Sequence, residues 1–198
     1  MAKMERRILQ ATQMEIRKAD EGPTTIEGYA AKFNVDSVPM WGFTERIAPG
    51  TFTRTLKENP DIKALWNHDS NCVIGSTKGG SLQLSEDDVG LKFSLDPGDT
   101  SWGKDALECI KRGDVSGVSF GFMTQKCEWD YTDPDNTIRT LTDVDLYEIS
   151  PTPFPAYPDT EVQARSIKDE FEKFMQENPA PAVKIDPYLH ELRKKLDS

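Results

Sequence analysis

Ser119 stands between two glycines on what reads as one face of a strand, and very few bases in the chain could serve it. It lies within Arg112-Gly-Asp-Val-Ser-Gly-Val-Ser-Phe-Gly-Phe122. Alternate residues of a strand share a face, so Val115, Gly117, Ser119, Gly121 and Met123 are predicted on one side. Val118, Phe120 and Phe122 fall on the other and belong in a core. The glycine side carries one unshaded hydroxyl, where another backbone can approach closely. Such a serine is either a small spacer or a nucleophile, and a nucleophile needs a base.

The chain offers 2 histidines, His68 and His190. His190 lies in a charged C-terminal run and reads as a solvated surface residue. His68 ends the run Ile62-Lys-Ala-Leu-Trp-Asn-His68, a predicted strand with Ile62, Ala64, Trp66 and His68 on one face. It is either an inert histidine at the edge of the core or a general base, since imidazoles titrate near neutrality. A Ser–His pair also wants a third group to fix the imidazole tautomer. The acidic candidates are Asp69, Asp143, Asp145 and Glu148. Alternation puts Asp143, Asp145, Tyr147 and Ile149 on one face and Glu148 on the other with Val144 and Leu146. A carboxylate on an apolar face is costly unless paired, so Glu148 either holds a structural ion pair or does chemistry. Asp69 points away from His68 and reads as a turn residue.

Other chemical readings are weaker. Ser101-Trp-Gly-Lys104 has the spacing of a Ser–Lys dyad, but capping of a helix by Ser101 explains it. Asp133-Pro-Asp-Asn136 begins like a calcium loop, yet Ile138 and Val144 stand where such a loop needs Gly and Glu. His68 and Cys72 are too few ligands for a metal, and Cys72 has no glycine setting that would make it a nucleophile. No glycine-rich phosphate loop is present. Neither a metal nor a cofactor is expected.

The elements that would carry these residues read as an α+β chain rich in strands. Thr12–Lys18 and Thr25–Phe33 form a strand pair through the turn Glu21-Gly-Pro23, with Tyr29, Ala31 and Phe33 inward. Thr51–Glu58 is a short helix stopped at Asn59-Pro60. Leu82–Leu84 and Leu91–Leu95 flank the acidic turn Glu86–Gly90 as a hairpin. Asp99, Thr100 or Ser101 caps a helix to Arg112, with an apolar stripe of Trp102, Ala106, Cys109 and Ile110 and Gly113 as its stop. Cys127–Tyr131 turns through Asp133–Asn136 into Thr137–Leu141 and Asp143–Ile149. Prolines then hold Ser150–Pro158 as an extended loop. Residues 1–163 are expected to form one domain. Residues 164–198 are expected to form a charged helical tail that docks or is cut away.

Composition limits the partners. The 198 residues suffice for one real core, and 34 Asp+Glu against 24 Lys+Arg give a net charge of -10. That balance argues against nucleic acid or an anionic membrane as partner. The 3 cysteines, Cys72, Cys109 and Cys127, are scattered and read as free thiols in a reducing compartment. No apolar run reaches membrane-spanning length, and Met-Ala-Lys-Met-Glu-Arg-Arg lacks the apolar stretch of a signal peptide. A cytoplasm is the expected setting.

In ordered blocks, the residues resemble the prohead (procapsid maturation) proteases of tailed bacteriophages. The blocks are Glu27-Gly-Tyr-Ala-Ala-Lys-Phe-Asn34, Glu45-Arg-Ile-Ala-Pro-Gly-Thr-Phe52, Leu65-Trp-Asn-His-Asp69, Ile74-Gly75 and the acidic turn within Leu82–Leu91. Arg112–Phe122 and Glu148-Ile-Ser with Pro155-Ala-Tyr-Pro158 complete them, so the resemblance spans Ile26 to Val162. It implies a serine endopeptidase with a compact, β-barrel-like, mostly antiparallel core and a few flanking helices, similar to the herpesvirus capsid maturation proteases. It further implies Ser119 as nucleophile, His68 as base and Glu148 as the acidic third member. The substrate would be scaffold protein or the scaffolding segment of the major capsid protein, with self-cleavage, inside the assembling prohead in the bacterial cytoplasm. The related viral enzymes suggest a homodimer. The oxyanion would be held by backbone N–H groups of Gly117, Gly121 or a loop. The alternative is a non-catalytic capsid assembly or scaffolding module that kept the fold and binds capsid protein.

Overall fold

Strand-forming runs broken by Gly, Pro and Asn dominate the chain, and the computed structural model arranges them as two sheets with two helices. It describes residues 4–9, 14–18, 22–39, 43–133 and 136–153, together with Gln176. In chain order the elements are β1 (Glu5–Leu9), β2 (Glu15–Lys18), β3 (Thr24–Lys32), β4 (Phe43–Ile47), α1 (Thr53–Glu58), β5 (Lys63–Trp66) and β6 (Asp69–Ser76). They continue with β7 (Leu82–Glu86), β8 (Gly90–Leu95), α2 (Ser101–Arg112), β9 (Gly117–Asp130) and β10 (Thr137–Thr152).

One sheet has six strands in the order β1-β9-β10-β5-β6, with β4 also on β10; the other has four in the order β2-β3-β8-β7. The long strand β10 organises the larger sheet. Along one edge it pairs antiparallel with β9 over nearly its whole length. Its other edge takes β4 at Thr137–Leu141 and β5 at Glu148 and Ile149, both in parallel. All other pairings are antiparallel. The α+β, strand-rich expectation holds, but the described residues form no closed barrel. Each sheet ends in edge strands, and closure would need a hydrogen-bonded ladder joining them. The two sheets instead bury their apolar sides in one cluster. Ile26, Leu91, Phe93 and Leu95 come from the smaller sheet; Val118, Phe120, Phe122, Val144 and Leu146 come from the larger. Phe52, just before α1, meets Phe120 edge-on at 5.7 Å. Burying such a ring contributes about 1.5–3 kcal/mol.

Local signals explain the helices. Thr100, one of the three anticipated caps, accepts the Gly103 N–H of α2 at 3.0 Å. Gly113 ends the helix at φ 81°, where a glycine escapes the left-handed penalty. The buried face of α2 is Gly103, Ala106 and Ile110. Trp102 is instead 45% exposed, a departure from the expected stripe. The strand pair β2–β3 and the hairpin β7–β8 form as expected. A register shift between Tyr29 and Ala31 breaks the alternation of β3. Tyr29 consequently turns its hydroxyl outward to Asp87, at 2.7 Å. None of the helices among the described residues is long and apolar enough to cross a membrane. The expected tail at 164–198 lies outside the described residues apart from Gln176, as do His190 and the part of the proline loop beyond Pro153. The loop's first residues, Ser150 to Thr152, are the end of β10.

β1 was not anticipated, because its inward positions are charged. Glu5 and Arg7 lie opposite Phe122 and Phe120 of β9 and so share their face. There they meet Glu45 of β4 and Arg139 of β10. Arg139 is fully buried and donates to Glu5 at 3.0 Å, to Glu45 at 2.9 Å and to Thr124 at 3.2 Å. Arg7 donates to Glu5 at 2.6 Å and bonds both carboxylate oxygens of Glu45. Two cations thus face two anions in a site largely shielded from water, the arrangement that makes buried charge tolerable.

Burial alone would raise the Glu5 carboxyl, but Arg7 and Arg139, with hydrogen bonds from Arg139 and Thr124, outweigh it and hold the group below its ordinary value. A carboxyl lowered in the folded state stabilises above its unfolded pKa, and that contribution is lost as pH falls through the folded value. Urea unfolding should therefore show stability declining as pH drops below about 4.3, the ordinary Glu range. The decline should be shallower in Glu5→Gln; an identical pH slope in the two proteins would contradict this account.

Candidate active site

Ser119 sits on β9 one residue beyond Val118, and from Gly117 on the strand alternates as required; Val115, expected on the face of Ser119, precedes the strand and packs in the core instead. Val118, Phe120 and Phe122 enter the core, while Ser119 and Gly121 take the opposite face. The register with β10 sets Ser150 opposite Ser119, Ile149 opposite Phe120 and Glu148 opposite Gly121. Directly opposed residues project to the same side, so Glu148 and Ser150 join Ser119 and Gly121 on one face.

This placement overturns the expectation that Glu148 shares a face with Val144 and Leu146. The register shifts between Leu146 and Glu148, so that Leu146 faces Phe122 while Glu148 faces the adjacent Gly121. Tyr147 is the extra residue of a β-bulge, and one extra residue re-aims every side chain after it. Leu146 and Ile149 therefore both point into the core, and the carboxylate leaves it.

Gly121 makes the room. A Cβ at this position would overlap Glu148 Oε1 and lie 3.0 Å from both Cδ and Cγ of that residue. What comes close to the glycine is a side chain, not the backbone that the sequence suggested. From the far side, Arg6 of β1 pairs with the same Gly121, and its Nε lies 3.7 Å from Glu148 Oε1.

His68 does not end a strand. β5 stops at Trp66, which pairs with Asp69, so Asn67 and His68 are the two residues of a hairpin turn. Their φ values are 50° and 61°, the pair of left-handed conformations that such tight turns need. Asn and His both enter this region more readily than most non-glycine residues. Hydrogen bonds to the end of β10 hold the turn. The Asn67 N–H donates to Pro151 O at 3.1 Å, the Thr152 hydroxyl to Asn67 Oδ1 at 3.2 Å, and the His68 N–H to Ser150 Oγ at 3.3 Å. The turn thereby delivers the imidazole to the carboxylate: His68 Nδ1 and Glu148 Oε1 are 2.6 Å apart, with side chains 7% and 3% exposed. With the proton on Nδ1 shared toward Glu148, Nε2 is the basic nitrogen of the neutral ring. The second carboxylate oxygen, Oε2, accepts the Ser150 hydroxyl at 2.5 Å. Ser119 is fully buried, and its Oγ makes no hydrogen bond among the described residues.

The other candidates are occupied elsewhere. Asp143 and Asp145 hold Arg54 of α1, at 2.9 Å and 2.6 Å. Asp69 accepts from the backbone and side chain of Asn71, as a turn residue does. Burial and the nearby Asp69 carboxylate push the Cys72 thiol up, away from the thiolate a nucleophile needs. Ser101 opens α2 without capping it, and Lys104 reaches Asp99 at 3.4 Å. Asp133 accepts the Asn136 N–H at 3.0 Å, as expected for a turn. The sequence reading missed Arg6 and Ser150. Both are brought to Glu148 by register, and the only available signal was that Ser150 follows Glu148 by two, the spacing of one strand face.

Among solved structures the chain is similar to the capsid assembly protease gp21 of bacteriophage T4, at 13% identity and a TM-score of 0.45, covering 76% of this chain and 99% of that one. No curated protein matches it. Residues 12–175 match the family model described as caudovirus prohead serine protease. With that match extending over most of its length, the chain belongs to the caudovirus prohead serine protease family.

Proposed function

We propose that this protein is the endopeptidase of prohead maturation and that Ser119, His68 and Glu148 carry its chemistry. The observation that supports this reading best is the 2.6 Å contact between His68 Nδ1 and Glu148 Oε1, on the sheet face that also holds Ser119. His68 Nε2 takes the Ser119 proton as Oγ attacks a peptide carbonyl, then gives that proton to the leaving amine. Water resolves the acyl-enzyme by the same route in reverse. Glu148 fixes the tautomer and offsets the charge of the imidazolium. Substrate binding brings Ser119 Oγ and the imidazole into hydrogen-bonding range, a contact that tightens in many hydrolases only in the complex. Backbone N–H groups hold the oxyanion.

The substrates in this reading are scaffold protein or the scaffolding segment of the major capsid protein, together with the chain itself, cut within the assembling shell. A charged tail at 164–198 that docks or is removed, a homodimer, and kinship with the herpesvirus capsid maturation proteases belong to the same proposal.

Co-expression with the capsid or scaffold protein encoded beside it tests the reading by intact mass. Wild type should remove defined segments, and Ser119→Ala should leave them in place. Identical products from both proteins would exclude Ser119 as nucleophile, and binding without cleavage by either would favour an assembly module. Glu148→Gln should lower turnover about 10⁴-fold, as loss of the carboxylate does in other triads. Gly121→Ala makes a subtler prediction. The added methyl group displaces the Glu148 carboxylate, so turnover should fall about 10²-fold or more while the urea midpoint stays near that of wild type. Full activity in Gly121→Ala would show that the observed carboxylate position is not the working one.

A further inference from the structure

We infer that Ser150 is a positioning residue of this site, fixing both the carboxylate and the turn that carries the base. The inference rests on the reading of His68 and Glu148 given above and assigns a role to a residue outside the triad. Ser150 is fully buried and lies opposite Ser119 in the ladder. Its hydroxyl has one proton and two lone pairs, and both functions are used. The O–H donates to Glu148 Oε2 at 2.5 Å, and the oxygen accepts the His68 N–H at 3.3 Å. Among the described residues, one hydroxyl thus touches both partners of the His68–Glu148 contact.

The geometry explains why such a tie is needed. A glutamate side chain has several rotatable bonds, and Gly121 presents no side chain to limit it. Arg6 Nε approaches the same oxygen as His68, at 3.7 Å, and pulls the carboxylate toward β1. The Ser150 bond on Oε2 fixes the rotation of the carboxylate so that Oε1 stays on Nδ1. The left-handed turn at Asn67 and His68 uses a backbone region that non-glycine residues seldom adopt, and its surroundings help to hold it. Ser150 supplies one of those bonds, and Pro151, the next residue, accepts another from Asn67.

A fluorophosphonate probe reads this without any knowledge of the natural substrate. Ser119 Oγ forms a bond to phosphorus, fluoride leaves, and His68 takes the hydroxyl proton. The labelling rate at Ser119, the urea midpoint and the downfield N–H proton resonance of the His68 ring would be measured in wild type, Ser150→Ala and Ser150→Thr. Ser150→Ala should label about tenfold to hundredfold more slowly, the loss expected when a hydrogen bond to a charged group is removed. Its ring N–H resonance should broaden or vanish while urea unfolding remains one cooperative transition, its midpoint lowered by the lost buried bond. Ser150→Thr, which keeps the hydroxyl, should recover the rate to within about threefold of wild type, as one retained bond predicts. Wild-type rate and resonance in Ser150→Ala would overturn the inference. Equal slowing in both variants would also overturn it, since packing rather than the hydroxyl would then be responsible. If folded wild type is not labelled at Ser119, the nucleophile assignment fails instead. The resonance then decides the role of Ser150 alone: loss in Ser150→Ala supports it, and no change refutes it.

Discussion

A carboxylate on the core side of a strand must find a partner or leave, and one inserted residue settles the matter in this protein. The bulge at Tyr147 lets Leu146 and Ile149 stay in the core while Glu148 and Ser150 turn to the face of Ser119. Without that insertion the regular alternation of β10 would point Glu148 at Phe120 and Phe122. The site is therefore a product of register. Gly121 provides the complementary vacancy on β9, and the hairpin turn at Asn67 and His68 brings the imidazole from the third strand.

The same sheet manages two charge clusters in different ways. On the core side, Arg7, Arg139, Glu5 and Glu45 neutralise one another and fasten β1 against β9 and β10. On the opposite side, Glu148 is shared among His68, Ser150 and Arg6. The first cluster is balanced two against two and largely buried. The second gathers an imidazole, a hydroxyl and a guanidinium around a single carboxylate. β1 links them, since Glu5 and Arg7 face one way and Arg6 the other.

Much of the architecture was legible because its signals are local. The cap at Thr100, the stop at Gly113, the acidic turn of the β7–β8 hairpin and the alternation of Val118, Phe120 and Phe122 all act within a few residues. What could not be read depends on partners distant in sequence. Nothing in Leu146-Tyr-Glu-Ile149 marks a bulge, because Tyr147 fits a regular strand as well as an irregular one. The Asn67-His68 turn hides inside a run whose alternation continues smoothly to His68. β1 fails every apolar pattern because its inward residues are charged, and their neutralising partners lie 38 and 134 positions away. Ser119 and His68 emerged as candidates from scarcity and setting. Their relation to Glu148 and Ser150 appears only once register is known.

The His68–Glu148 contact joins residues 80 positions apart, and the strand carrying Glu148 is, among the described residues, the last element of the larger sheet. Contacts of such separation incur the loop-closure cost before they return any stabilisation, so they form late in folding. A chain still on the ribosome can pair β5 with β6, but the bonds that hold the His68 turn and join it to the strand of Ser119 all come from β10. It has no carboxylate beside the imidazole until β10 emerges and threads between β9 and β5. Order of synthesis therefore sets an order of assembly: local hairpins come first, and the paired imidazole and carboxylate arrive only with β10.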